Sequence, residues 1–140
     1  MKEKSHEQIR LDELNTKRVT TTKARVAHAI RLCDNPVGCL NEGRAIDDAS
    51  VEIAHAVNLL EAAVEEMRWA CEHFSWDTGV CDDIDAACAK LGVCLAVLED
   101  DEDPDPMFAG ATAAEGLAIL GRVLANLIRW FDDEQDVSEV

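Results

Sequence analysis

Few groupings in this chain could do chemistry, and each lacks a necessary part. Glu52-Ile53-Ala54-His55 has the Glu-x-x-His step that ferritin-like bundles use to hold a di-iron pair. Such a site needs further inward carboxylates, and His55 falls on the side of its helix away from the apolar seam. Asp101, Asp103 and Asp105 are spaced like the start of a calcium loop, but the sixth position is Pro106 rather than Gly and the twelfth is Thr112 rather than Glu. The six cysteines, at 33, 39, 71, 81, 88 and 94, form no Cys-x-x-Cys pair. Cys71, His73 and Cys81 straddle one turn, yet Cys71 and Cys81 lie on apolar seams and a zinc site needs four converging ligands. They read instead as small buried hydrophobes. No Ser/His/Asp or Cys/His arrangement stands out from four scattered histidines, and there is no Gly-rich phosphate loop. The expectation is a non-enzymatic protein without metal or cofactor.

The elements that would carry these residues are helices. Ala and Leu dominate, aromatic residues make up only 4%, and Tyr is absent, which favours helix over sheet. The strongest pattern runs from about 47 to 76. Ile53, Val57, Leu60, Val64, Met67, Cys71 and Phe74 recur at alternating steps of four and three, with no Gly or Pro between and with Asp47, Asp48 and Ser50 to start the helix. A third helix is expected over about 80–99 with Cys81, Ile84, Cys88, Leu91, Leu95 and Leu98 inward. Its outer side is also apolar (Ala86, Ala89, Val93, Ala96, Val97), which implies burial on more than one side, in the middle of a bundle or at a dimer interface.

Residues 99–106, Glu-Asp-Asp-Glu-Asp-Pro-Asp-Pro, read as an extended linker. The capping box Thr112-Ala-Ala-Glu115 then opens a last helix over about 112–133, with Leu117, Leu120, Leu124, Leu127 and Phe131 as its seam. Towards the N terminus, residues 1–18 read as a basic arm or short helix. The β-branched run Val19–Thr22 makes poor helix interior, so a first firm helix is capped by Thr20, Thr21 or Thr22 and runs to about Cys33, with Asn35-Pro36 as its stop. The expected architecture is all-α: an antiparallel bundle of four helices, one domain over 19–133, a basic N-terminal arm and a frayed acidic tail over 134–140.

The formal charge is −16 and uneven. Residues 1–31 carry +4 and residues 32–140 carry −20. A body this acidic repels nucleic acid and anionic membrane and attracts basic protein surfaces. No apolar segment follows Met1-Lys2-Glu3-Lys4, and no uninterrupted apolar run reaches the roughly 18 residues of a membrane span. These features suggest a cytoplasmic protein with reduced cysteines.

The surface candidates follow from the long-helix seam. Trp69 and Trp76 both fall opposite it, flanked by Glu65, Glu66 and Glu72. An aromatic ridge edged by acids suits a basic partner, because Trp is a frequent hot-spot residue. The alternative is that another helix or the N-terminal arm covers the ridge. Asp82 and Asp83, and the run with Asp100, Asp101 and Asp103, add acidic clusters. Acids after Glu99 and after Asp132 stand at expected helix C-termini, against the helix dipole, so local stability does not account for them. No motif identifies a family. In general type, a small acidic helical protein without a site, the chain is similar to bacterial immunity proteins and to phage-encoded inhibitors of host defence such as anti-CRISPR proteins. The expected function is inhibition of a basic, nucleic-acid-handling protein by direct binding. A structural homodimer burying the third helix and the tryptophan ridge is the second reading, and a metal- or cofactor-holding bundle the third.

Overall fold

Ser5 starts the first helix. In the computed structural model its backbone is extended (φ −63°, ψ 158°) and its hydroxyl accepts a hydrogen bond from the Gln8 amide at 3.1 Å. The structure describes residues 5–43, 49–74, 79–99 and 105–138. From this cap α1 runs His6–Asn41, 36 residues and about 54 Å. The expected arm over 1–18 is, from His6 onward, the opening turns of this helix. The expected start at Thr20–Thr22 does not occur. Val19 and Thr22 are wholly buried, and the Thr21 and Thr22 hydroxyls donate to the Lys17 and Arg18 carbonyls at 2.9 Å. Burial offsets the β-branched cost, and back-bonding satisfies the hydroxyls. Nor does Pro36 stop the helix: it sits inside α1, buried, with Val37 and Leu40 buried beyond it. Apolar burial of that last turn, worth about 1.5–3 kcal/mol for a Leu side chain, outweighs a lost hydrogen bond near the helix end. Gly43, at φ +79°, ends the segment by donating its amide to the Leu40 carbonyl at 2.9 Å, the left-handed residue a helix C-terminus favours.

The second helix, α2, spans Ala49–Phe74, and α3 spans Gly79–Leu98, close to the expected ranges. The last helix starts six residues before its expected cap. α4 spans Pro106–Ser138. The Asp105 carboxylate accepts from the Phe108 amide at 3.1 Å, and Pro106 takes the first helical position, where its missing amide costs nothing. Thr112 is therefore no cap. Its hydroxyl donates to the Phe108 carbonyl within the helix.

The four helices form a ring in which each packs on its two chain or ring neighbours: α1 on α2 and α4, α3 on α2 and α4. The diagonal pairs do not meet backbone to backbone among the described residues. The antiparallel sense is visible in the contacts, for Arg18 reaches Glu66 while His28 reaches His55. The fold is thus the expected all-α four-helix bundle.

The core uses more alanine than the seams suggest. On α2 the buried line is Ile53, Ala56, Leu60, Ala63, Met67 and Ala70, with Val64 beside it and Val57 only half-buried. The buried stripe is therefore turned by roughly 50° from the expected seam, at about 100° per residue. On α3, Ala87 and Cys94 are buried while Cys88, Leu95 and Leu98 are partly exposed. Ala86, Ala89, Val93 and Ala96 are exposed, so the outer side of α3 is not covered within one chain.

Candidate interaction surface

The turn of α2 places two unlike edges beside its core line. The edge towards α1 carries Ala62, Glu66 and Trp69. Arg18 on α1 donates from Nη1 to Glu66 Oε2 at 3.0 Å and holds its guanidinium 4.2 Å from the centre of the Trp69 ring. Arg25 lies 3.6 Å from Glu66 Oε1 and donates to the Ala62 carbonyl at 3.4 Å. Glu66 thus receives two guanidinium groups, in a setting where the three charged side chains keep 27–32% of their exposure. The indole face offers the cation a second, electrostatic contact. One turn further along, the His28 and His55 rings meet edge to face at 5.7 Å.

Of the ridge read from the sequence, then, Trp69 and Glu66 are spent partly on holding α1. Trp76 lies outside the described residues, as do Asp100, Asp101 and Asp103. In the sequence the arginines count only towards the +4 charge of residues 1–31. Their separation of seven residues, one heptad, is the signal that marks them as a single line facing one neighbour.

The edge of α2 towards α3 is acidic and open. Glu61, Glu65 and Glu72 are exposed there. Asp82, Asp83 and Asp85, also exposed, stand in the first turns of α3, where acids complement the helix dipole. Arg68 interrupts the row and pairs with Asp85 at 3.4 Å, both side chains being more than half exposed. Burial pushes the Cys88 thiol up to about 11, and the nearby Glu61 and Asp85 carboxylates add to the rise, so negative charge from both helices converges beside it. Glu99, just past α3, is exposed as well.

Three of the cysteines behave as core residues, while the side chain of Cys71 lies outside the described ones. Cys33, Cys81 and Cys94 are buried. Burial raises the Cys33 thiol to about 12, with the Cys94 thiol and Glu52 as lesser causes, and burial raises Cys94 to about 11. Thiols held this far above neutrality are poor nucleophiles and poor metal ligands. Among the described residues no three His, Cys, Asp or Glu side chains converge as metal ligands. Glu52 is half-buried, and Asp105 is occupied as the α4 cap.

The outer face of α4 is of a different character. Met107, Phe108 and Ile128 are 60%, 54% and 44% exposed. Between Pro106 and Arg129 the helix is long and apolar enough to cross a bilayer by length and composition, with 28% of its most apolar stretch buried. No family model, no curated protein and no solved structure matches the chain.

Proposed function

We propose that this protein is a small acidic, non-enzymatic binding module that inhibits a basic, nucleic-acid-handling protein, in the manner of immunity or phage anti-defence proteins such as anti-CRISPRs. The observation that carries the reading is the exposure of Glu65 and Glu72 on α2 and of Asp82 and Asp83 on α3, two neighbouring helices. These acids belong to a stretch, residues 32–140, that carries −20. Such a field steers a cationic partner and repels polyanions. Trp69 is a secondary contributor, since Arg18 already stacks on its ring.

The test is capture from the native host at low and high salt, set beside a variant with Glu65→Gln, Glu72→Gln, Asp82→Asn and Asp83→Asn. A basic protein retained at low salt, released at high salt and lost to the neutralised variant is the expected result, with that protein's nucleic-acid binding blocked by the wild type alone. Retention that is indifferent to these four charges would overturn the reading.

A further inference from the structure

We propose that the exposed face of α4 is a self-complementary dimer interface whose occupant is α4 of a second copy, antiparallel, about a twofold axis beside Ala118. The argument begins with a pattern centred on that residue. Ala111, Ala118 and Ala125, all exposed, stand at intervals of seven, so they form one outward line. On one flank of this line are Glu115 and Arg122, both exposed, one heptad and roughly 10.5 Å apart. On the other are the exposed Met107 and Ile128.

A twofold axis perpendicular to the helices and through the plane between them reverses the chain direction and keeps each flank opposite itself. Ala118 then meets Ala118 of the partner, and Ala111 meets Ala125. On the charged flank Glu115 meets the partner's Arg122, twice by symmetry. On the apolar flank Met107 meets the partner's Ile128. Along the alanine line and the apolar flank, large side chains thus fall at the ends and small ones in the middle, where two helix backbones must approach. At Gly121 an added Cβ would find nothing within 4 Å, so the middle of the strip is open.

Charge selects a second copy of this chain over other occupants. Of the five bases in residues 32–140, Lys90, Arg122 and Arg129 lie on α3 and α4. Glu115 sits among them, 2.8 Å from Lys90. This is therefore a part of an otherwise acidic body that a like-charged copy can approach, and the order Glu115 then Arg122 along α4 is the one a reversed copy matches. The α4 strip supplies roughly 700 Å² over the two protomers, from a length of about 32 Å and a helix width of about 11 Å. The exposed Val93, one turn beyond Lys90 on α3, extends it towards the roughly 1,000 Å² a specific interface needs.

The experiment is light scattering over a concentration series, with circular dichroism as the control for folding; every altered position is exposed. The wild type is expected at twice its chain mass of 15.4 kDa. Ala118→Arg should give monomer. Glu115→Arg and Arg122→Glu should each weaken the dimer by about tenfold or more, and the double exchange should restore most of the loss. If Glu115 served Lys90 alone, the double exchange would not rescue. A wild type that stays monomeric overturns the proposal, and so does a dimer unaffected by Ala118→Arg. A monomer that floats with phosphatidylcholine vesicles overturns it too, and gives the strip to a lipid surface instead.

Discussion

The α1–α2 pair and the pairs made by α4 are held together in opposite ways. Between α1 and α2, long side chains reach across: Arg18 and Arg25 converge on Glu66, and Arg18 covers Trp69. Between α4 and its neighbours, side chains are missing where the helices meet. A Cβ on Gly110 would lie 2.8 Å from the Asn41 amide nitrogen and 2.9 Å from the Leu40 carbonyl carbon, both backbone atoms of α1. One on Gly116 would lie 3.2 Å from the Ala87 carbonyl oxygen of α3. A reaching contact fixes register and tolerates small movements. A close approach fixes distance and tolerates none, because close-packed interiors transmit strain.

That difference sets the order of mutational effects. Gly110→Ala should be the most damaging small change in the molecule. Ala is a better helix former than Gly by about 1 kcal/mol, so an open site would gain stability. Here the methyl group has backbone on its far side and must push α4 off α1, at a net cost of about 2–3 kcal/mol. A fall in Tm of roughly 10 °C is expected by circular dichroism. Gly116→Ala, with more room, should change Tm by much less. Equal losses at the two glycines would break the distinction between a strict approach and a merely close one.

The second effect is on pH dependence, and it probes the core that both pairs share. Cys33 on α1 and Cys94 on α3 face a common interior, with folded pKa values near 12 and 11 against an ordinary 9.0. A raised pKa means the folded state keeps its protons longer than the unfolded chain. The stabilisation is complete below pH 9 and is lost as pH rises through the folded values, because the unfolded state then binds fewer protons. Unfolding free energy should therefore fall steeply between about pH 9 and 12. Cys33→Ala should flatten that slope while costing stability at neutral pH through the cavity it leaves. An unchanged alkaline slope in this variant would show that the thiol carries none of it.

These same contacts mark what could be read from the sequence. The heptad steps located α2 and α3 to within a few residues, since long apolar periodicity survives whatever the neighbours do. Pro36 and Val19–Thr22 misled because breaker rules weigh local cost alone, whereas Val19, Thr22, Pro36 and Leu40 all enter the core. Ala56, Ala63, Ala70 and Ala87 are too small to stand out beside the larger seams, yet all four are buried. Their burial is what turns α2 and α3 and sends Trp69 towards α1. For the candidate surface, Glu65, Glu72, Asp82 and Asp83 are as open as their charge implied. Glu66 and Trp69 are partly withdrawn by Arg18, a long-range partner that no local pattern names.

The smallest effect sharpens the contrast most, because it compares two ion pairs on one scaffold. Arg18–Glu66 at 3.0 Å is partly buried, is shared with Arg25 and has an aromatic face beside it. Lys90–Glu115 is shorter, at 2.8 Å, but its side chains are 45% and 62% exposed. If distance governed, the lysine pair would be the stronger. Solvent screening and side-chain entropy argue the reverse, since exposed pairs are worth about 0.2–1 kcal/mol at most. Double-mutant cycles to Ala, read by urea denaturation, should give Arg18 and Glu66 a coupling of about 1 kcal/mol or more. Arg18→Ala should lose about 1–2 kcal/mol, part of it from the indole contact. Lys90 and Glu115 should couple by about 0.5 kcal/mol or less, and added salt should erase that value while leaving most of the first. Couplings of equal size would mean that Arg18 is only a surface pairing, and that α1 is held to α2 by its buried apolar line alone.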